Sequence, residues 1–178
     1  MFPIAKNSWT PLSKMATKRV YSASVPVKGK LLLVLGGCDG DNSLATSEYV
    51  SPDGDASQPG PNLPGPRSHH CAMKLSNGQV ILLGGYPNEK SVIIFHPETG
   101  IDQSLPSLIF DRTRFGCATF NSPMHDNREV VLAVGGAETA TAEVLDYTQP
   151  SPAWTESNYS FKYIVLSDFF HYSQNHHI

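Results

Sequence analysis

The sequence has little charge, few cysteines and no long apolar run. Only 16% of its 178 residues are charged, the net charge is −3 and no basic stripe is present, so we expect no nucleic-acid partner. No apolar stretch approaches the roughly 18 residues of a membrane-spanning helix. Met1 to Lys14 contains no apolar segment of signal-peptide length. We therefore expect no membrane partner and a cytoplasmic location.

The three cysteines do not form a metal-binding pattern. Cys38, Cys71 and Cys117 are an odd number of widely spaced thiols, which fits a reducing compartment. No Cys-x-x-Cys or His-x-x-x-His pair is present. His69 and His70 are neighbours, and on a strand they would point to opposite faces. We expect neither a metal nor a cofactor.

Catalytic and calcium-binding motifs are also missing. No Gly-x-Ser-x-Gly, P-loop or dinucleotide fingerprint occurs in the sequence, so we do not expect an enzyme. The segment 39–43 begins like a calcium loop, but Leu44 stands where the loop needs glycine, and Val50 stands where it needs glutamate. Its Asp, Gly and Asn residues are typical of tight turns and predict a loop after a strand.

Glycine and proline are frequent, with 14 residues of each. They lie between short apolar runs, which is typical of a turn-rich β protein rather than a disordered one. Three apolar runs end in a glycine pair, and the pairs are 48 and 51 residues apart. The pairs are Gly36-Gly37, Gly84-Gly85 and Gly135-Gly136. A fixed period of this length indicates a repeat protein.

Arginines and aromatic residues follow the same period. Three arginines are spaced by 48 and 47 residues, and an aromatic residue follows each glycine pair by 13, 11 and 12 residues. The arginines are Arg19, Arg67 and Arg114, and the aromatics are Tyr49, Phe95 and Tyr147. Trp154 closes the last unit. Several landmarks at one period predict that these positions are structurally equivalent.

Each unit predicts four short antiparallel strands. The apolar runs hold four or five residues, which suits a buried strand better than a helix. Asn77-Gly78 precedes the second run and predicts a hairpin turn. The third strand holds the aromatic residue, and the fourth holds Trp154 or, in the first two units, Leu63 or Leu105.

These residues make the chain resemble the kelch-repeat family, in which an aliphatic strand ends in Gly-Gly and is followed by an aromatic residue, a tryptophan and an arginine. The resemblance covers residues 9–156, with repeats at about 19–66, 67–113 and 114–156. It implies an all-β fold, a partial kelch-type β-propeller of about three four-stranded antiparallel blades plus a stray N-terminal strand at 9–12. The aromatic-rich segment 157–178 does not match the repeat.

The resemblance implies a non-catalytic protein–protein interaction module that presents its inter-strand loops to another protein. That module would be the substrate-recognition part of a larger scaffold or ubiquitin-ligase adaptor. Two alternatives stay open, a fragment of a propeller oxidase or isomerase and a truncated product without function. Because three blades do not close a ring, the open propeller edges would need missing blades, a partner chain or self-association to cover them.

The candidate binding residues are three arginines and one tyrosine. Arg19, Arg67 and Arg114 would either lock turns between blades or bind carboxylates of a peptide, since the guanidinium fork suits a carboxylate. Tyr86 lies in the loop after the second glycine pair and is of a type favoured at binding hot spots. Loops 38–46, 86–90 and 137–140 differ between repeats and would carry specificity.

Overall fold

The computed structural model describes residues 14–51, 56–100, 102–137 and 139–157, which form twelve β-strands. The predicted strand at 9–12 and nearly all of the segment 157–178 lie outside the described residues. The strands are β1 (Ala23–Pro26), β2 (Leu32–Leu35), β3 (Ser47–Val50), β4 (Gln58–Pro59), β5 (Cys71–Lys74), β6 (Val80–Leu83), β7 (Val92–Phe95), β8 (Asp102–Ser104), β9 (Gly116–Ser122), β10 (Arg128–Val134), β11 (Ala142–Leu145) and β12 (Trp154–Glu156). Short 3-10 turns span Lys28–Lys30 and Pro123–His125.

Three four-stranded antiparallel sheets contain all of these strands. Each sheet takes four consecutive strands in sequence order, so we call them the first sheet (β1–β4), the middle sheet (β5–β8) and the third sheet (β9–β12). The prediction of an all-β chain with three four-stranded antiparallel units is confirmed.

The sheets pack face to face around their first strands. β5 contacts both β1 and β9. One hydrophobic cluster joins the first and middle sheets, and a second joins the middle and third sheets. β6 and β7 are therefore buried on both faces, which explains why their sequences are continuously apolar rather than alternating. The arrangement is propeller-like.

The glycines that the sequence predicts at turns have the positive φ values that turns require. Gly78 has a positive φ of 86° in the turn between β5 and β6, and Leu75 donates its N–H to the Gln79 carbonyl at 2.8 Å across that turn. All six residues of the glycine pairs also have positive φ. A glycine pair therefore ends the second strand of each sheet and turns the chain toward the neighbouring sheet.

The three aromatic landmarks are not structurally equivalent, so that prediction was wrong. Tyr49 pairs with Leu33 in β2, three residues before the glycine pair, whereas Phe95 pairs with Val80, four residues before it. Tyr147 lies beyond the end of β11. The loop after each glycine pair differs in length, so similar spacing along the chain does not give the same register. Trp154 lies in the fourth strand as predicted, but Leu63 and Leu105 lie outside β4 and β8.

A disulfide bond joins the middle and third sheets. It links Cys71 at the start of β5 to Cys117 in β9, with a Cα–Cα distance of 6.3 Å. Cys38 is a free thiol. The expectation of three unpaired thiols is therefore wrong, because strands 46 residues apart in the sequence are neighbours in the fold.

Candidate functional site

One arginine per sheet occupies an equivalent buried position, and the third of these is Arg112 rather than Arg114. Arg19, Arg67 and Arg112 each donate from Nη1 to the carbonyl of the first glycine of a pair, at 2.9, 3.3 and 2.6 Å. Each also donates from Nη2 to the hydroxyl of a Thr or Ser in the loop before the third strand. We call this arrangement the arginine clamp.

A buried glutamate completes the arginine clamp in the first and third sheets. Glu48 accepts from Arg19 Nε at 3.1 Å, and Glu143 accepts from Arg112 Nε at 2.6 Å. Glu48 also accepts the Ala16 N–H at 2.7 Å, and Glu143 accepts the Ile109 N–H at 2.7 Å. Burial alone would raise the pKa of Glu48, but bonds from Arg19 and other donors lower it to about 2. Both carboxylates thus accept hydrogen bonds from an arginine side chain and from a backbone N–H inside the fold.

The middle sheet has the arginine without its acid. Ile93 pairs with Leu82, two residues before the glycine pair, and so occupies the position of Glu48 and Glu143. Pro64, which has no N–H, replaces the donors Ala16 and Ile109. The middle sheet therefore lacks both the glutamate carboxylate and the backbone N–H that donates to it in the other two sheets. Arg67 keeps its place at 1% exposure, and its Nε has no partner among the described residues. Burial lowers the pKa of Arg67 to about 10.

The residue two positions after each clamp arginine lies on one exposed rim. Tyr21, His69 and Arg114 all have positive φ values, between 55° and 57°. Their backbones are joined in series, because His69 N–H donates to the Tyr21 carbonyl at 2.9 Å and Arg114 N–H donates to the His69 carbonyl at 3.0 Å. The same local conformation in three sheets thus brings three side chains into one row.

The row presents aromatic and cationic groups to solvent. The Tyr21 and His69 rings stack with centroids 3.8 Å apart, Tyr21 is 59% exposed and Arg114 is exposed. Burial, and then the charge of Arg114, lowers the pKa of His69, so the ring is neutral near pH 7. Tyr86 is 60% exposed and pairs through its backbone with Ser68, the residue before His69. Tyr21, His69, Arg114 and Tyr86 are hereafter the rim patch.

Loops after the glycine pairs lie at the same rim. Ser43 Oγ is 2.9 Å from Ser68 Oγ and donates to the Tyr86 carbonyl at 3.4 Å, which places the loop 38–46 beside Tyr86. Asp39 Oδ1 accepts the N–H groups of Asp41 and Asn42 at 3.0 and 2.9 Å. This is the tight turn that the sequence predicts for 39–43.

The structure divides the predicted binding residues into two groups. Arg19 and Arg67 are held inside the arginine clamp, so burial removes them as contacts for a partner, whereas Arg114 and Tyr86 are exposed. Sequence reasoning missed Tyr21 and His69. Tyr21 and His69 each follow a repeating arginine by two residues, and this spacing could have identified them. The pattern was not visible because Arg114, rather than Arg112, was taken as the third repeating arginine.

The same misalignment affected a second position. An alignment on Arg114 would make Ser22, His70 and Cys117 equivalent. In the structure the third member is Phe115, since the side chains of Ser22, His70 and Phe115 each lie against the second glycine of a pair. His70 is 8% exposed, and neither ring nitrogen has a partner among the described residues. Burial lowers the pKa of His70 to about 3. This histidine is a neutral packing residue.

No protein-family model and no curated protein sequence matches this chain. Within the described ranges, no group of three or more His, Cys, Asp or Glu residues is arranged to hold a metal ion. Within the same ranges, none of the helical segments has the length and apolar character required to cross a lipid bilayer.

Proposed function

We propose that this chain is a non-catalytic protein-binding module of kelch type, which recognises an acidic segment of another protein on the rim patch. The observation that carries the proposal is the serial backbone bonding of Tyr21, His69 and Arg114, which brings one side chain per sheet to a single rim, where Tyr21 and Arg114 are exposed and His69 is partly buried. The same positive φ recurs in each sheet, and the backbone hydrogen bonds hold the three positions in a row.

The chemistry of the rim patch favours a peptide with carboxylates beside apolar or aromatic residues. Tyrosine and arginine are enriched at binding hot spots, and the Tyr21–His69 stack offers a flat ring surface. Arg114 provides a guanidinium fork for a carboxylate, and His69 is neutral near pH 7 because its pKa is lowered. We therefore assign charge recognition to Arg114 and apolar contact to Tyr21 and Tyr86.

In the cell, such a module would select a protein substrate for a larger scaffold or ubiquitin-ligase adaptor. That role is what the kelch resemblance implies, and in this proposal the rim patch is the surface that contacts the substrate. The described residues contain no feature that favours a propeller oxidase or isomerase, so no second function is proposed.

A peptide array tests the proposal. Wild-type protein is probed on random peptides containing Asp or Glu and on the same peptides with Asn or Gln in their place. We expect selective retention on the acidic set, lost by tenfold or more in Arg114→Glu and in Tyr86→Ala. Lys74→Glu and Met124→Ala are matched controls, since both residues are exposed and lie away from the rim. Equal binding to both peptide sets, or equal losses in the controls, would overturn the proposal.

A further inference from the structure

The junction between neighbouring sheets is built twice from the same four backbone hydrogen bonds. At the first junction, Gly37 N–H donates to the Arg67 carbonyl at 2.9 Å, and at the second, Gly85 N–H donates to the Arg112 carbonyl at 2.9 Å. The other bonds of the first junction are Arg67 N to Leu44 O, Leu63 N to Ala45 O and His69 N to Tyr21 O, at 2.7 to 3.1 Å. Those of the second junction are Arg112 N to Glu89 O, Leu108 N to Lys90 O and Arg114 N to His69 O, each at 3.0 Å. The same set of backbone hydrogen bonds therefore joins each pair of neighbouring sheets.

One half of this junction is left open at each end of the described structure. The third sheet has the backbone groups that the first and middle sheets use to bond to the next sheet, but here they have no backbone partner among the described residues. The first sheet has the backbone groups that the middle and third sheets use to bond to the preceding sheet, and these also have no such partner. On the third sheet they are Gly136 N, Thr139 O, Ala140 O and Arg114 O, and on the first sheet they are Arg19 O, Arg19 N, Met15 N and Tyr21 N. Each donor at one end matches an acceptor at the other.

Apolar side chains at these two ends are also less covered than their equivalents inside the molecule. Leu132 on the third sheet is half-buried, whereas Leu33 and Ile81 at the same register are fully buried. Leu32 on the first sheet is 40% exposed, whereas the equivalent Val80 has no exposure. Ile81 is equivalent to Leu132, and Val131 is equivalent to Leu32. Ile81 and Val131 pack in one hydrophobic cluster between the middle and third sheets. A Leu132 face would therefore pack on a Leu32 face.

We propose that the occupant of each open end is a second copy of this chain, joined head to tail, so that two copies form a closed ring of six sheets. The contact is heterologous, and a two-fold axis closes it with two identical junctions. Closure selects two copies, because three sheets fall below and nine exceed the four to eight blades of typical propellers. The ring sets Arg114 of one copy beside Tyr21 of the other and makes the row of the rim patch continuous.

Sedimentation equilibrium with a charge-swap pair tests this interface. We expect wild-type protein to have twice the chain mass of 19.4 kDa. Leu132→Arg and Leu32→Glu should each sediment as single chains, and their equimolar mixture should recover the double mass, because Glu and Arg then meet across one junction. Lys74→Glu, at an exposed site in the middle sheet, should keep the double mass. A wild-type single chain, a singly substituted dimer, an open-ended larger assembly or a mixture that stays monomeric would each overturn the proposal.

A cross-link provides a readout that does not alter the packed faces. In a Cys38→Ser background, Tyr21→Cys together with Arg114→Cys should trap a covalent dimer, because the equivalent Tyr21 and His69 rings are 3.8 Å apart within the chain. Absence of that dimer under oxidising conditions would overturn the proposed junction. Mass and cross-link do not depend on peptide binding, so the failure of this interface and the failure of the proposed function are distinguishable.

Discussion

The middle and third sheets place the same arginine in two different environments. Arg112 is bonded to Glu143, the Gly135 carbonyl and Thr141. Arg67 is as deeply buried, but among the described residues it has no acidic partner and donates a 3.3 Å bond to the Gly84 carbonyl and a 3.1 Å bond to Ser91. The middle sheet is, however, the one packed on both faces. The difference indicates that apolar burial holds the middle sheet, whereas the other two rely on the buried ion pair as well.

The largest effect is expected from breaking the ion pair of the third sheet. Glu143→Leu leaves Arg112 as an uncompensated buried charge and leaves the Ile109 N–H without its acceptor. We expect a loss of about 3–5 kcal/mol in the free energy of unfolding, measured by urea titration. The matched control is Ile93→Leu at the equivalent position, which should cost under about 1.5 kcal/mol. Equal losses in the two variants would contradict the comparison.

A smaller loss is expected at Gly85, the second glycine of the pair in the middle sheet, which packs against the residues before β5. Gly85→Val places a β-branched residue at a φ of 86°, and its Cβ would lie 2.5 Å from His70 Cβ and 2.6 Å from the Ser68 carbonyl oxygen. We expect destabilisation of about 1–3 kcal/mol by thermal unfolding. Gly40→Val, where a Cβ meets no atom within 4 Å, separates the steric clash from the strain of positive φ. An unchanged Tm for Gly85→Val would show that Gly85 is not packed this closely against Ser68 and His70.

Removing the unpaired arginine should matter less than breaking the pair. Arg67→Met replaces a buried charge that has no acid by an apolar side chain of similar length, so the desolvation penalty disappears while two hydrogen bonds are lost. We expect at most about 2 kcal/mol of destabilisation, which is less than the loss in Glu143→Leu. A larger loss in Arg67→Met would mean that the middle sheet depends on its arginine as the third sheet does.

The smallest effect at neutral pH is expected at His70. The third sheet has Phe115 at the equivalent position, so His70→Phe should change stability by less than about 1.5 kcal/mol at pH 7. Because the pKa of His70 falls from 6.5 to about 3 on folding, the unfolded chain binds the proton more readily. Wild-type stability should therefore drop relative to the variant as pH falls from 6.5 towards 3. Parallel urea titrations at pH 7, 5 and 4 test this, and a constant difference would contradict it.

The sequence predicted the three-sheet repeat because glycine pairs and apolar runs are local signals. It missed the equivalence of Arg112, because Arg112 and Arg114 both lie near the expected spacing and only burial separates them. The sequence also did not show that the middle sheet has Ile93 in place of the glutamate and Pro64 in place of its backbone donor, since these positions come together only in the folded chain. The rim patch needed a backbone conformation, positive φ at Tyr21, His69 and Arg114, that side-chain types do not specify.

The most direct test compares two arginines only two residues apart. In the present account, Arg112 anchors the third sheet through Glu143, and Arg114 is free to contact a partner. Urea unfolding of Arg112→Met should show a loss of about 3–5 kcal/mol, whereas Arg114→Met should stay within about 0.5 kcal/mol of wild type. A large loss in Arg114→Met with little change in Arg112→Met would contradict both the alignment of the repeats and the assignment of the rim patch.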